Sequence, residues 1–458
     1  MDVVGLLFAA ADVTMRETAL FAAAGFLLLG ASDLAVDLLW LLLKVRGAGR
    51  SPATLEDLAV PRSTGRIAVF VPAWDEAAVI GDMLRRAVAA FRGADFRIYV
   101  GCYPNDPDGI AAVLAVGHPH IRLTLCAAAG PTTKADCLNC LWRALLADEA
   151  AEGWRAKAVV LHDAEDVAHS AELALFDRTI EGRDLVQLPV LPLIDPNSRW
   201  IGGHYADEFA EAHAKELPVR QWLGASLPSA GVGCAFSRDA LARVAAASGG
   251  LPFDAASLTE DYELGLRIRE LGGRAAFLRV AAGQGCGLVA TREYFPGTLI
   301  AAVTQKARWM TGIALAGWDR LGWSGGVAER WMRLRDRQSL LAALLVCAGY
   351  LSAALWLMLK VREGLTGVAP APLSPALSLL VTVNLGLLGW RLAVRAAFTT
   401  AAYGLREGLR AVPRAAIGNA IAVAAAACAL VRYRTMRRTG RVRWGKTAHA
   451  FPSELPAE

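Results

Sequence analysis

The stretch IAVFVPAWDE (residues 67–76) decides the fold, because an apolar strand-like run leads directly into a polar turn. The residues that follow, Glu76–Phe91, carry apolar side chains at helical spacing. This alternation of a strand and a helix then continues along the chain. Further short β-rich runs are Arg97–Val100, Ile121–Leu125 and Ala158–Leu161, and the helices predicted between them are Pro107–Val116 and Thr133–Leu146. The pattern predicts an α/β domain with a mostly parallel sheet that is covered on both faces.

Acidic side chains follow several of these predicted strands. Asp75 and Glu76 come after the first strand, Asp106 after the second and Asp163 after the fourth. Because ligands of open parallel sheets bind beyond the carboxyl ends of the strands, we expect these acids to face one crevice. The glycine patterns of nicotinamide-binding and P-loop enzymes do not occur in the sequence, nor does the G-x-S-x-G pattern of serine hydrolases. These three classes of enzyme are therefore not indicated.

The chain is apolar for its size: 55% of its 458 residues are hydrophobic, and the mean hydropathy is +0.36. Such values indicate membrane segments beside a globular body. Thr18–Leu43 is long enough to cross a bilayer, and Lys44, Arg46 and Arg50 follow it. The positive-inside rule then places the N-terminus outside and the following body in the cytosol.

Two more membrane spans, Leu340–Leu359 and Leu373–Trp390, are predicted towards the C-terminus. Ala415–Val431 is also apolar, but nine of its seventeen residues are alanine, which drives insertion poorly. We therefore expect it to lie on the inner membrane surface. The seven basic residues after it favour a cytosolic membrane face over nucleic acid as the partner. Those seven are Arg432, Arg434, Arg437, Arg438, Arg441, Arg443 and Lys446.

Together these predictions divide the chain into five parts. They are an N-terminal transmembrane helix (1–50), a cytosolic α/β domain (51–290), interfacial helices (291–338), two transmembrane helices (339–398), and an interfacial helix with a basic cytosolic tail (399–458). Cys137 and Cys140 form an isolated C-x-x-C pattern, which we interpret as helix packing in a reduced compartment rather than a metal site.

Asp33 and Asp37 lie one helical turn apart within the first span, so they share one face of the helix. A carboxylate facing lipid costs on the order of 3 kcal/mol, so both need partners. Arg391 and Arg395 are also four residues apart and lie at the expected depth. We expect the two pairs to meet between helices; the alternative is that the aspartates face a wet cavity.

Asp163 and Glu165 end a strand and project to the same side of the extended chain. Adjacent carboxylates repel one another unless a cation bridges them, and their hard oxygens suit Mg²⁺ or Mn²⁺. Such a metal could hold a nucleotide diphosphate and stabilise it as a leaving group. The alternative is a solvated acidic loop that caps the next helix, with Asp166 as a third surface acid.

Thr259-Glu260-Asp261 opens a predicted helix, and Asp261 is a candidate general base for an acceptor hydroxyl. The alternative is structural, since Ser257-x-x-Glu260 fits a capping box and acids favour the first turn of a helix.

Gln305, Arg308 and Trp309 lie at positions i, i+3 and i+4, hence on one helical face. Arg308 could contact a diphosphate, and Trp309 could stack on an acceptor sugar. An amphipathic interfacial helix with Trp309 at the membrane boundary is an alternative that can hold at the same time.

With these motifs in order, the sequence resembles the family-2 glycosyltransferases, inverting enzymes with the GT-A (Rossmann-like) fold. The resemblance covers roughly residues 66–315. It implies that Pro72, Trp74 and Glu76 bind the nucleotide, that Asp106 contacts its uracil or ribose, and that Gly130 and Lys134 meet it as well. The matching positions are VPAWDE (71–76), YPND (103–106), Gly130 and Lys134.

The same resemblance assigns the remaining motifs. Asp163-Ala-Glu165 stands in place of D-x-D, with Glu replacing Asp, so Asp163 and Glu165 would bind the metal and Asp163 would also meet the nucleotide. Glu260-Asp261 matches the catalytic acid pair, with Asp261 as the base. Gln305-x-x-Arg308-Trp309 matches the Q-x-x-R-W element that serves the acceptor and the diphosphate.

A closer likeness is to the transferase part of the bacteriophage N4 adsorption protein B family, an inner-membrane group. It is carried by the Asp33/Asp37 helix, Tyr103–Asp106, His162–Asp166 and Trp444–His449. The likeness implies an inner-membrane, multi-pass enzyme with a cytosolic catalytic domain. It would add a sugar from a nucleotide-diphosphate donor, expected to be UDP-linked, to a glycan, with processive exopolysaccharide synthesis as one form of that reaction. The alternatives are a single-addition transferase acting on a membrane lipid and a non-catalytic scaffold or phage-adsorption component.

The expected ligands and partners follow from that reaction. They are Mg²⁺ or Mn²⁺, the nucleotide-sugar donor, a glycan or lipid-linked acceptor and membrane lipids, without nucleic acid. Three predicted spans are few for an enzyme that would secrete its own polymer. A partner protein, an oligomer or a lipid acceptor could each account for export.

Overall fold

The structure is a computed structural model that describes residues 3–48, 53–60, 63–440 and 450–452. Arg441, Arg443 and Lys446 of the basic tail, and Trp444–His449, lie outside the described residues. The described part comprises an α/β body and long apolar helices on either side of it in sequence.

The centre of the body is a seven-stranded sheet. Its strand order is β4-β3-β2-β5-β7-β6-β8, and every neighbouring pair is parallel except the two made by β7. A separate two-stranded parallel sheet pairs β1 with β9. The strands are β1 (Ala53–Thr54), β2 (Ile67–Pro72), β3 (Phe96–Cys102), β4 (Ile121–Leu125), β5 (Ala158–Leu161), β6 (Leu185–Gln187), β7 (Cys234–Ser237), β8 (Ala275–Phe277) and β9 (Val280–Ala281). The prediction of a mostly parallel sheet is confirmed.

Helices cover both faces of this sheet. The helices up to the end of the body are α1 (Val3–Leu43), α2 (Ile80–Ala90), α3 (Pro107–Leu114), α4 (Lys134–Glu152), α5 (Glu172–Thr179), α6 (Gly202–Glu211), α7 (Leu217–Trp222), α8 (Arg238–Ala247) and α9 (Glu260–Glu270). One apolar core packs side chains of β2 and β3 against α2 and α5, and a second packs the opposite face against α4, α8 and α9. Because both faces are buried, the central strands read as continuous apolar runs in the sequence.

The remaining helices lead from the body into the apolar C-terminal part. They are α10 (Leu299–Met310), α11 (Gly317–Leu321), α12 (Val327–Arg337), α13 (Ser339–Thr366), α14 (Pro375–Tyr403) and α15 (Leu405–Thr439). In the described part of the chain, α1, α13, α14 and α15 are long and apolar enough to cross a membrane. The three predicted spans lie in α1, α13 and α14. By the same criteria α15, which the sequence placed on the membrane surface, also qualifies.

The placement of α15 nevertheless differs from that of α13 and α14, because it packs along α10. Both α14 and α15 pack against α6 of the body. Arg414, fully buried in α15, makes a two-pronged ion pair with Asp207 of α6 at 2.7 and 2.9 Å. The expected surface position of Ala415–Val431, further along α15, stays a prediction.

A buried ionic cluster joins the membrane helices to the body. Asp33 accepts from Arg391 of α14 at 2.6 Å, as the sequence predicted, and from Arg335 of α12 at 2.9 Å. Asp37 and Arg395 take other partners than expected, because Asp37 pairs with Lys215 at 2.5 Å and Arg395 pairs with Glu211. Lys215 lies on the π-helical segment Ala212–Glu216 after α6, and this segment contacts α1 although the two are far apart in sequence.

Candidate functional site

The residues singled out from the sequence converge on one cavity of about 1400 Å³ at the carboxyl ends of the parallel strands. Ten of the twelve predicted site residues line it: Pro72, Glu76, Lys134, Asp163, Glu165, Glu260, Asp261, Gln305, Arg308 and Trp309. The two others, Trp74 and Asp106, are not among the lining residues. The three separate motifs therefore face a common space.

Trp74 and Asp106 belong to a rim built on the ends of β2 and β3. The ring of Trp74 meets Tyr103 edge to face at 5.3 Å and lies against Gly130, where an added Cβ would come within 2.5 Å of it. Asp106 caps α3 by accepting from the Gly109 N–H at 3.1 Å.

Asp106 also accepts from the backbone N–H of Asp75 at 2.8 Å. This bond holds Asp75 at φ 54°, a left-handed conformation that is uncommon for a residue other than glycine. Asp106 thus shapes the turn after β2. Its predicted contact with the nucleotide base or ribose stays a prediction.

Asp163 follows β5 and faces Lys134, the first residue of α4, with 2.5 Å between Nζ and Oδ1. Thr133 and Asp136 form a capping box that fixes the start of α4 and hence the position of Lys134. Burial lowers the pKa of Lys134, but the carboxylates of Asp163, Glu260 and Asp261 outweigh it and the net shift is upward. The lysine therefore stays charged among these acids.

The other acid of this run, Asp166, does not lie on a solvated loop, so that alternative is wrong. His162 is fully buried and bridges Asp166 at 2.8 Å and Glu172 at 2.7 Å. Asp166 also accepts from the Asp163 N–H at 2.9 Å. His162 and Asp166 therefore brace the turn, which leaves Asp163 and Glu165 to line the cavity.

Glu260 and Asp261 occupy the first turn of α9. The expected capping box is not formed, since Ser257 donates to Glu263 at 2.7 Å and Thr259 makes no side-chain cap. Burial, together with the charge of Asp261, raises the pKa of Glu260 to about 7. Burial also raises the pKa of Asp261, while Lys134 and Arg308 oppose that shift. The two carboxyl groups therefore bind a proton more readily than ordinary carboxyl groups do.

Close packing fixes the orientation of Asp261. Its Oδ1 accepts from the Tyr262 N–H at 2.8 Å, and its Oδ2 approaches Gly231. Gly231 has φ 77°, and a Cβ there would lie 2.4 Å from Oδ2, so only glycine fits. The loop 229–233 is therefore shaped around this carboxylate.

Gln187 holds that loop and was missed from the sequence. Its amide nitrogen donates to the carbonyls of Val232 and Gly233, and its amide oxygen accepts from Ala230 at 2.8 Å. Gln187 is the last residue of β6, and a polar residue at the end of a strand could have indicated it from the sequence. The strand was not predicted, because three residues are too few to show a strand pattern.

Gln305, Arg308 and Trp309 lie on one face of α10, as predicted, and line the cavity. Oε1 of Gln305 and Nε of Arg308 are buried and have no hydrogen-bond partner among the described residues. Such atoms need a partner, since an unpaired buried polar group costs roughly 1–3 kcal/mol. Both residues line the cavity through other atoms of their side chains or backbone.

Trp309 packs in an aromatic group with Tyr205 at 5.9 Å, Phe295 at 6.3 Å and Phe209 at 6.4 Å. Its ring thus contributes to packing and also reaches the cavity wall. The prediction that it stacks on a sugar stays a prediction.

The donor set fits a divalent cation that also takes ligands from a substrate. Among the described residues no group of three or more histidine, cysteine or acidic side chains is placed to hold a metal. Asp163 and Glu165 supply hard carboxylate oxygens, and Mg²⁺ is commonly bound by one or two carboxylates together with substrate phosphates.

Comparisons with known proteins agree with this geometry. Residues 64–312 match the family model described as glycosyltransferase like family 2. Bacteriophage adsorption protein B of Escherichia coli K12 and bacteriophage N4 adsorption protein B of Escherichia coli O157:H7 are each 36% identical over 409 residues. The match covers 84% of this chain and 55% of either relative, so the chain spans about half of their length.

A solved structure shares the fold. It is a mannosyltransferase from Pyrobaculum calidifontis in complex with GDP-Man and Mn²⁺, with a TM-score of 0.51 and 19% identity. The similarity covers 89% of this chain and 99% of that one. The body is therefore a GT-A-like α/β fold.

Proposed function

Because this chain belongs to the family-2 glycosyltransferases, we propose that it moves a sugar from a nucleotide-diphosphate donor to an acceptor hydroxyl with inversion of the anomeric carbon. One observation carries the proposal: Asp163, Asp261 and Arg308, from three distant motifs, line the same cavity. A metal ligand, a base and a cation for the diphosphate are the groups that this reaction needs.

The nucleotide would bind at the rim formed after β2 and β3. Pro72 and Glu76 line the cavity beside this rim, and Trp74 offers a half-buried ring. Asp106 would position the base or ribose side, and Lys134 would reach the phosphates. We expect a UDP-linked sugar.

Asp163 and Glu165 would hold Mg²⁺ or Mn²⁺. Once bound, the ion would neutralise charge on the leaving diphosphate. Arg308 lines the same cavity and would add a second positive contact. Gln305 and Trp309 would flank the acceptor.

Asp261 would act as the general base. It takes the proton of the acceptor hydroxyl as that oxygen bonds to the anomeric carbon, while the bond from this carbon to the diphosphate oxygen breaks. Burial raises the pKa of Asp261 above its ordinary value. That effect suits a base, because a carboxylate with an ordinary pKa accepts protons weakly near neutral pH.

We place the enzyme in the cell inner membrane with the α/β body in the cytosol. The basic residues after α1 and the four apolar helices support this placement.

The test is a donor screen. The full chain, reconstituted in lipid nanodiscs, is given UDP- and GDP-linked sugars with Mn²⁺, Mg²⁺ or chelator, and release of nucleoside diphosphate is measured. We expect release that needs metal and that Asp163→Asn lowers at limiting metal. Absence of metal-dependent release with every donor would overturn the proposal.

A second candidate is a role in phage adsorption that needs the fold but no catalysis, because the curated relatives are named adsorption protein B. Cells carrying Asp261→Asn separate the two. A variant that still supports adsorption without sugar transfer would favour the non-catalytic role.

A further inference from the structure

A second cavity lies apart from the catalytic one. Its volume is about 530 Å³, within the range of about 300–1,000 Å³ that is usual for sites of small ligands. It is lined by residues just before β6 and β8, at the amino ends of these strands, whereas the catalytic cavity lies at the carboxyl ends. No described residue lines both cavities. We call the second cavity the arginine pocket, after Arg183, Arg269 and Arg274 in its wall.

Positive charge dominates the arginine pocket. Glu181 is the only acid among the described residues that line it, and it is already paired with Lys157 at 3.1 Å. Arg183 and Arg269 each donate to a backbone carbonyl, at 2.6 and 3.2 Å. Within the described part of the chain, none of the three arginines forms an ion pair with a carboxylate. The pocket therefore carries positive charge that the protein itself does not neutralise.

The guanidinium groups of this pocket are accessible to a ligand. Arg269 and Arg274 are exposed, and Arg183 is half-buried. Asp184 lies nearby and accepts from the Arg274 backbone N–H at 2.8 Å, but its carboxylate pairs with Arg243 outside the pocket. Guanidinium groups match the oxygens of phosphate through two parallel hydrogen bonds. The charge and the chemistry of the pocket therefore favour a phosphate group.

Helix α9 and segment 224–231 connect the arginine pocket to the catalytic cavity. At the arginine pocket, Arg269 of α9 donates to the Gly224 carbonyl at 3.2 Å. One turn earlier in α9, Gly265 has no room for a Cβ, which would collide with the carbonyl oxygen of Leu227. The helix and the segment are therefore in close contact along two turns.

The same contact continues to the candidate base. Asp261, in the first turn of α9, packs against Gly231, and both α9 and the segment line the catalytic cavity here. Asp261, Gly265 and Arg269 are four residues apart, so they share one face of the helix. A ligand that binds Arg269 therefore acts on the two elements that surround the Asp261 carboxylate.

We propose that the arginine pocket is an effector site for a phosphate-bearing anion. The anion binds Arg183, Arg269 and Arg274 and holds α9 against segment 224–231. Asp261 is thereby held in place against the segment, and sugar transfer becomes faster. The binding site stands independently of the proposed function, whereas its effect on the rate rests on that function.

The phosphate group can belong to a soluble metabolite or to a lipid head group. Ala225 lines the arginine pocket and packs in the same apolar cluster as Trp40 and Leu43 of α1, so the pocket lies close to a membrane helix. The lipid composition of the nanodiscs distinguishes the two sources. An anionic lipid that occupies the pocket would compete with a soluble phosphate, and a zwitterionic lipid would not.

Binding is measured by calorimetry on the full chain in phosphatidylcholine nanodiscs without metal, with inorganic phosphate and glucose 6-phosphate as probes. The combined substitution of Arg269→Gln and Arg274→Gln should weaken binding by about tenfold or more. Arg243→Gln is the matched control, because Arg243 is also exposed but does not line the pocket. Arg308→Gln, in the catalytic cavity, should likewise leave this binding in place. Thermal unfolding checks the fold of each variant.

Equal affinity in the wild type and the combined variant would overturn the site. Repeating the titration in phosphatidylglycerol nanodiscs identifies the source of the phosphate. Weaker binding of the probes there would support a lipid head group as the occupant, and unchanged binding would support a soluble metabolite.

The effect on the rate is measured in phosphatidylcholine nanodiscs at saturating donor, with and without glucose 6-phosphate. We expect the transfer rate of the wild type to increase by about fivefold and that of the combined variant to stay constant. An unchanged rate in the wild type would overturn the effector role. Failure of the proposed function looks different, since no donor would then release nucleoside diphosphate while calorimetry would still detect binding.

Discussion

The assignment of Asp261 as the base leads to a sharp prediction for the substitution Asp261→Asn. The change is isosteric and keeps an oxygen that can accept from the Tyr262 N–H, which Oδ1 contacts at 2.8 Å. It removes only the ability to take a proton. General-base catalysis contributes about 10²- to 10⁴-fold, so we expect a loss equivalent to about 3–5 kcal/mol in the barrier to transfer.

Glu260→Gln is the matched control, because the neighbouring acid is changed in the same way. The charge of ionised Asp261 helps raise the pKa of Glu260 to about 7, so Asp261 loses its proton first. Burial raises the pKa of Asp261, so the acid limb of the wild-type rate should lie above the usual aspartate range, with activity falling as pH decreases. Glu260 is already protonated where Asp261 titrates, so Glu260→Gln should leave this limb in place.

The assay measures initial rates of sugar transfer in nanodiscs between pH 5 and 9, with donor affinity determined separately for each variant. Asp261→Asn should bind the donor normally and transfer slowly at every pH. The assignment fails if Asp261→Asn keeps more than about a tenth of the activity while Glu260→Gln loses it, since Glu260 would then be the base.

Three further sets of substitutions test the buried charged residues around the site. Arg333 makes charge-assisted hydrogen bonds to Glu329 and Glu270, whereas Arg337 makes no hydrogen bond among the described residues. Arg333→Met should therefore destabilise the fold by about 3–5 kcal/mol, and Arg337→Met by about 1 kcal/mol or less. Similar decreases in the thermal unfolding midpoint of the two variants would contradict this prediction. In a double-mutant cycle, Asp33→Ala and Arg391→Ala should show coupling of about 1 kcal/mol, whereas additive effects would deny the pairing. Lys134→Met should move the acid limb of the transfer rate to higher pH, because the Lys134 ammonium lowers the pKa of both Glu260 and Asp261. An acid limb at the same pH in the variant would contradict this electrostatic role of Lys134.

Much of the sheet could be predicted because its central strands are continuous apolar runs that end at polar turns. Ile121–Leu125 and Ala158–Leu161 have the predicted bounds. The helix after β2 begins later than predicted, at Ile80 instead of Glu76, because a turn over 77–79 comes first. Short strands such as β7 gave no periodicity to detect, and its antiparallel insertion depends on pairing across the sheet.

The site was predictable where the chemistry lies in a short motif and not where it depends on the fold. Spacing alone paired Asp33 with Arg391, since both lie on long helices with a defined depth. The partner of Asp37, Lys215, comes from a π-helical segment of the body, and its position beside α1 has no local signal. Gln187 likewise acts through a loop about forty residues further along the chain.

Lys215 also explains how the site is held relative to the membrane. It is almost fully buried between Asp37 of α1, at 2.5 Å, and Glu211 of α6, at 2.6 Å. Removing one member of a buried ion pair costs about 3–5 kcal/mol, so sliding of α6 along α1 would be opposed by a penalty of that order. The position of the body relative to α1 is therefore set in part by this buried cluster.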